Sequence, residues 1–231
     1  MKIIAINGSP RGKKSTTYRM VEEFLKGMRE FGWKDQHILL SELNIHHCMG
    51  CFHCWKNQGT CIFTDDMKKI IPLDCDILLL ASPLYYDNIS GLLKNFLDRS
   101  VAQASPLIGK DANNESIHIK RRPRPKLLAI SNCGYPENSH FDVLKILFRR
   151  MARNMESDLL GEIYLGQGPL LIINDPQLKR VIDNYKALLQ TAGREIAQNL
   201  SFSADTKKKL EEPLIPIEKY VQAHNAFFSK Q

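Results

Sequence analysis

Long apolar runs are missing from this 231-residue chain: the longest, such as residues 77–81, fall far short of the ~20 residues that carry a helix across a bilayer. No helical membrane span is expected, and no membrane partner. No leader is expected either, since Lys2 and a short apolar stretch run straight into Asn7-Gly8-Ser9 without the longer apolar region and cleavage site of a signal peptide, and the expected compartment is the cytoplasm. Six cysteines without such a leader argue against a disulfide framework, because cytosolic thiols stay reduced. There is no low-complexity tract, and 43% hydrophobic with 25% charged residues describes an ordinary folded protein. The length suits one α/β domain with decorations.

Two nucleotide signatures are also absent. Only three residues separate Gly8 from Gly12 and Lys14 intervenes before Ser15, so this is not the loop that cradles a nucleoside triphosphate, and GxGxxG does not occur. The net charge of +7 is partly local, in Lys120, Arg121, Arg122, Arg124 and Lys126. No aromatic residues interleave with that run, which therefore lacks the stacking platform of single-strand binders. A solvated loop is expected there, with attraction of an anionic dinucleotide as the next reading, and no nucleic-acid partner.

What is present alternates between strand and helix. Residues 2–6 form an apolar run, and residues 15–31 carry Tyr18, Val21, Phe24, Leu25, Met28 and Phe31 at helical spacing. Further strands are expected at 37–40, 76–81, 126–131 and 159–165, with 170–173 extending the last. The third is an Ile-Leu-Leu-Leu run suited to burial on both faces, ended by Ser82-Pro83. Helices are expected at 65–71, 90–101, 141–155 and 177–200. The polar, basic stretch 103–125 reads as a long loop, and 201–231 as a helical tail. This alternation implies an α/β fold with a five-stranded parallel sheet in the order 2-1-3-4-5, helices on both faces, and ligands beyond the carboxyl ends of the strands.

The loop after the first strand has the chemistry of a phosphate site. Gly8 permits a tight turn and close backbone approach, Ser9, Ser15, Thr16 and Thr17 offer hydroxyls, Arg11 adds charge, and the following helix aims free amides at the loop. Gly-Ser-Pro-Arg followed by Ser-Thr-Thr resembles the phosphate loop of the NADPH-dependent FMN reductase and iron–sulfur flavoprotein group, with Thr16 where asparagine is commoner. The resemblance spans roughly residues 1 to 160. It implies a flavodoxin-like three-layer sandwich over 1–200 that binds FMN.

Two more segments match that group in order. Pro83, Leu84, Tyr85 and Tyr86 follow the third strand and resemble the segment lying along the flavin ring; a flat apolar ring with polar edges suits such walls. Asn132, Cys133, Gly134 and Tyr135 follow the fourth strand and are similar to the segment that approaches the pyrimidine edge. Cys133 has no evident base beside it and reads as a pocket-lining thiol rather than a nucleophile. His140 reads as a surface helix residue.

Cys48-x2-Cys51-x2-Cys54-x6-Cys61 lies in an insertion at 44–63 and has spacing that directs four thiolates at one metal site. A [4Fe-4S] cluster, zinc with help from His46, His47 or His53, and reduced thiols all suit it. The resemblance favours the cluster. Cys75 stands apart as a packing residue.

The resemblance thus implies an FMN-dependent oxidoreductase passing electrons from NAD(P)H or a ferredoxin-like carrier to a small acceptor such as a quinone or flavin, as a homodimer or homotetramer. No catalytic acid or base is named, because the flavin does the chemistry. The rivals are a non-enzymatic electron carrier or redox sensor, and a zinc-stabilised binding module.

Overall fold

A computed structural model describes residues 1–71, 73–120 and 123–229. In chain order the elements are β1 (Lys2–Asn7), α1 (Thr16–Arg29), β2 (Lys34–Leu39), α2 (His53–Lys56), α3 (Met67–Ile70), β3 (Ile77–Tyr85), β4 (Asn88–Ile89), α4 (Gly91–Arg99), β5 (Ala104–Lys110), β6 (Ser116–Lys120), β7 (Lys126–Asn132), α5 (Asp142–Asn154), β8 (Leu159–Leu165), α6 (Lys179–Asn199), α7 (Ala204–Leu210) and α8 (Ile217–Phe228). The central sheet runs β2-β1-β3-β7-β8, parallel throughout, so its five long strands take the expected order. The fold is flavodoxin-like α/β. Two-residue β4 adds an antiparallel pairing to β3 that periodicity did not announce.

Successive strand residues face opposite ways, which divides the core in two. Ile3, Ala5, Ile77, Leu79, Leu128 and Ile130 pack with α1 and α6, the latter through Ile182, Leu189 and Ile196. Ile4, Ile6, Leu78, Leu80, Leu127 and Ala129 pack on the opposite face with Leu93 and Phe96 of α4 and Leu144 and Phe148 of α5. Of the expected α1 stripe, Val21, Phe24, Leu25 and Met28 are buried, whereas Phe31 lies beyond the helix and is exposed.

Several boundaries move. β2 begins three residues before the expected 37. Ser82-Pro83 does not end β3: the register continues through Ser82↔Ser131 and Pro83↔Asn132 into the β4 pairing. Near the carboxyl end of the strand, proline removes one ladder donor and is tolerated. Residues 170–173 do not extend the fifth strand, because Gln167 takes a left-handed φ of +57° and Gly168–Ile172 turns as a 3-10 helix.

The expected loop 103–125 is largely an antiparallel hairpin, β5 with β6. Ser-Ile-His-Ile-Lys alternates with period two, and Asp111 closes the turn by accepting from the amides of Asn113 and Glu115, each at 2.9 Å. Arg153 of α5 grips the same carboxylate at 2.6 Å. Of the basic run, Arg121 and Arg122 lie outside the described residues. Arg124 is half-buried and donates to the Gln103 carbonyl at 3.2 Å, and Lys126 pairs with Asp158, so these two are fastened rather than free in a solvated loop.

Candidate functional site

The phosphate loop hangs on β1. Asn7 ends the strand fully buried, and its Oδ1 accepts from the Ser9 amide at 2.9 Å, which turns its Nδ2 toward His37 Nε2 at 3.1 Å. His37 is thereby the acceptor at Nε2 and carries its proton on Nδ1, donating to Glu22 at 2.7 Å. Tyr18 stacks on the same ring. Burial pushes His37 below its ordinary 6.5, against the opposing pull of Glu22 and Asp35 and with the help of Arg29.

A pH dependence follows from this. A histidine held neutral in the fold but free to protonate when unfolded contributes stability that is whole above the ordinary value and declines as pH falls below it. Thermal stability is expected to fall between pH 7 and 5, and His37→Gln to flatten that slope; equal slopes in the two proteins, by scanning calorimetry, would refute the assignment.

Gly8 does serve close approach, but to another helix. A Cβ there would lie 2.6 Å from Leu93 Cβ and 2.7 Å from Ser90 Oγ, and Ser90 Oγ donates to the Gly8 carbonyl at 2.6 Å. The glycine lets α4 pack under the loop.

Ser15 caps α1, accepting from the Tyr18 amide at 3.0 Å and donating to the Gly12 carbonyl at 2.7 Å. Thr16 Oγ1 donates to the Gly168 carbonyl at 3.0 Å. These two hydroxyl hydrogens are therefore committed to the protein. Thr17 Oγ1 accepts from Asn132 Nδ2 at 2.7 Å, tying the first loop to the one after β7 and leaving its own hydrogen to donate. Helix geometry leaves the first amides of α1 without an intrahelical acceptor, and those of Thr16 and Thr17 have no protein partner among the described residues. The loop thus offers an anion backbone amides, the positive end of a helix dipole, Arg11, and the hydroxyls of Ser9 and Thr17.

A single cleft beyond the carboxyl ends of β1, β3 and β7 is lined by Ser9, Arg11, Ser15, Thr16, Thr17, Pro83, Leu84, Tyr85, Asn132, Cys133, Gly134 and Pro169. Every expected flavin contact is there except two. Tyr86 is wholly exposed at a φ of +50°, turned out by the β3–β4 corner. Tyr135 stacks on His140 and lines a neighbouring cavity of about 460 Å³, whose other walls are Gly134, shared with the cleft, Pro136 and residues of α8. Cys133 is buried, and burial pushes its thiol up to about 11, as suits a neutral wall.

Two contributors were not expected. Gly166-Gln167-Gly168-Pro169 follows β8 and sits where any loop after a strand's carboxyl end should matter. Its amides at Gly168 and Gln167 donate to the carbonyls of Cys133 and Tyr135, both at 2.8 Å, and a Cβ at Gly166 would strike the Tyr135 and Pro136 carbonyls at 2.8 and 2.7 Å. The other is the tail. The buried Gln167 carboxamide exchanges two hydrogen bonds with the Ile215 backbone, at 2.9 and 3.0 Å, and Tyr220 of α8 donates to the Gly134 carbonyl at 2.6 Å.

The residues fit FMN. The anion-ready helix end, the apolar walls Pro83 and Leu84, and Gly134, where an added Cβ would meet nothing within 4 Å, make a cradle open where a ring would lie.

The cysteine insertion is tied down at its base. Arg99 and Asp65 form an ion pair at 2.6 Å with both side chains 2% exposed; Arg99 also donates to the His46 carbonyl, and Asp65 accepts from the His46 amide. Above it, Cys54 is buried, Cys61 half-buried, and Cys48 and Cys51 exposed. Burial, and then the nearness of Cys61, Cys48 and Cys51, push the Cys54 thiol up. The four sulfurs are neighbours, yet among the described residues no three Cys, His, Asp or Glu side chains gather at one coordination point. The donor set fits an iron–sulfur cluster; its present arrangement does not.

Residues 1–114 match the NADPH-dependent FMN reductase family. The matched stretch ends before β7, so the third loop lies outside it. An iron–sulfur flavoprotein from Methanocaldococcus jannaschii is 37% identical over 102 residues, 43% of this chain and 52% of the relative. One from Archaeoglobus fulgidus is 34% identical over 102 residues, 43% and 49% of the two chains. The chain thus matches about half the length of these curated relatives. Among solved structures, the NAD(P)H:quinone oxidoreductase from Methanothermobacter marburgensis superposes with a TM-score of 0.60 at 16% identity, over 87% of this chain and 99% of the other. An FMN-dependent NADH-azoreductase from Bacillus anthracis, solved with FMN, gives 0.59 at 17%, over 85% and 99%. These likenesses concern the fold.

Proposed function

We propose that this protein is an FMN-dependent oxidoreductase of the NADPH-dependent FMN reductase family that takes electrons from NAD(P)H or a reduced carrier and delivers them to a small acceptor such as a quinone or flavin. The single observation that carries the reading is the convergence of three loops, from β1, β3 and β7, on one cleft with an anion site at one end and apolar walls at the other. Bound there, FMN supplies the electron and hydride chemistry. The protein's part is to hold the phosphate at the α1 amides, to flank the ring with Pro83, Leu84 and Tyr85, and to meet its polar edge with the backbone at Gly134.

The test is an FMN titration by fluorescence quenching, followed by NADH and NADPH oxidation with a quinone acceptor. Tight FMN binding with nucleotide turnover supports the reading; FMN binding with inertness toward both nucleotides replaces it with a carrier or sensor. Gly134→Leu introduces a side chain into open space without a backbone penalty, because Gly134 is not among the glycines of positive φ. FMN affinity is expected to fall about tenfold or more, about 1.4 kcal/mol, with the melting temperature of the apoprotein unchanged. Undiminished FMN affinity would place the ring elsewhere.

Within the same reading, Cys48, Cys51, Cys54 and Cys61 are proposed as the ligands of a [4Fe-4S] cluster, for which Cys48 and Cys51 would have to close on the other two. No electron path is drawn through it. Iron and acid-labile sulfide near about four each per chain in anaerobically purified protein support the assignment; stoichiometric zinc or no metal removes it. A homodimer or homotetramer is expected by light scattering.

A further inference from the structure

The backbone of the loop after β7 has an uneven polarity. The Cys133 carbonyl is taken by the Gly168 amide at 2.8 Å, the Gly134 carbonyl by the Tyr220 hydroxyl at 2.6 Å, and the Tyr135 carbonyl by the Gln167 amide at 2.8 Å and the Cys133 thiol at 3.4 Å. All three acceptors are bonded to the protein. The amides of Gly134 and Tyr135 have no protein acceptor among the described residues, and residue 136 is a proline with no N–H. A planar trans peptide points its N–H opposite to its C=O. Holding the Gly134 carbonyl against α8 therefore aims the Tyr135 N–H away from α8, and holding the Cys133 carbonyl against the loop after β8 aims the Gly134 N–H away from that loop.

We propose that Tyr220 is a positioning residue that raises the reduction potential of bound flavin, by holding the Gly134–Tyr135 peptide so that its N–H, and not its carbonyl, is turned from α8 toward the cleft that Gly134 lines. The inference rests on the reading of the cleft as a flavin site. Reduction adds electron density to the pyrimidine edge of the ring, and donors already aimed where charge develops stabilise the charged form without reorganising. A carbonyl freed to turn toward that edge would do the opposite. Tyr220 suits the task because it is 6% exposed and its hydroxyl makes a short bond that solvent does not easily replace.

The experiment compares wild type with Tyr220→Phe, which keeps the ring packed against His224 and removes only the hydroxyl. Midpoint potential is measured by reductive titration against a redox dye, and FMN dissociation constants are measured in both oxidation states. Tyr220→Phe is expected to weaken binding of reduced FMN about tenfold more than oxidised FMN, and so to lower the two-electron potential by about 30 mV. Equal weakening in both states, or no change in either, assigns Tyr220 a structural role only and overturns the proposal. Gln167→Met cuts the other tie to the tail, at Ile215, while sparing the Tyr220 hydroxyl. An equal potential shift in that variant would trace the effect to a loosened tail and overturn the assignment to Tyr220. Failure of wild type to bind FMN at all would instead remove the flavin reading itself.

Discussion

Alanine at Gly27 or at Gly193 should destabilise the protein by about 3 kcal/mol or more, enough to unfold a marginal domain. The two glycines lie where α1 crosses α6, the most intimate helix pair of the fold. A Cβ on Gly27 would lie 2.0 Å from the Gln190 carbonyl oxygen, and one on Gly193 would lie 2.1 Å from that of Phe24. Both obstacles are backbone, so no side-chain rotation relieves them, and the helices must separate. Around the crossing, Phe24, Leu25, Met28, Leu189, Ala192 and Ile196 are all fully buried, and separation would open that packing. Helix propensity pulls the other way, favouring alanine over glycine by about 1 kcal/mol in a helix interior. Gly91, the first residue of α4, has nothing within 4 Å of an added Cβ and is the control. Urea denaturation should show Gly91→Ala at or above wild type and the other two far below it. A wild-type midpoint for Gly27→Ala would mean that the crossing is looser than described.

The second large effect is expected at the base of the cysteine insertion. Removing one partner of a buried ion pair typically costs about 3–5 kcal/mol, because the survivor stays buried without compensation. Asp65→Ala would remove the carboxylate that pairs with Arg99, whose Nε has no hydrogen-bond partner among the described residues, and would release the His46 and Met67 amides that donate to that carboxylate. Arg99 also stacks over Phe63, 5.2 Å from its centroid, so the loss spreads along the insertion. Limited proteolysis should then cut between residues 47 and 64 well before global unfolding. The double variant Asp65→Leu/Arg99→Met, which removes both charges, should recover much of the stability. A double variant no better than Asp65→Ala would show that packing, and not charge, holds the base.

The fold was legible because its elements have distinct periods. The apolar run of β3 and the helical stripe of α1 each have one consistent reading, and their alternation permits few topologies. The hairpin β5–β6 was hidden because composition drew attention to Pro and Arg while the period-two run at 116–120 carried the signal. Gly27 and Gly193 left no trace that sequence could interpret, since a glycine inside a helical pattern is only a weak break until the facing helix is known.

By itself, the sequence determined the α/β order, a hydroxyl-rich helix start at Ser15, Thr16 and Thr17 suited to an anion, and the residues that could wall a ring. Those are properties of neighbouring residues, set by local periodicity, capping and turn chemistry. The tertiary structure alone decided that Ser15 and Thr16 commit their hydroxyl hydrogens to Gly12 and Gly168, that Gly8 yields to α4, and that Tyr86 leaves the cleft. It also brought Gln167 and Tyr220 to the loop at Gly134, across 33 and 86 residues of chain. Hydrogen bonds over such separations exist only once the sheet has set which strand ends are adjacent, and no local pattern encodes that.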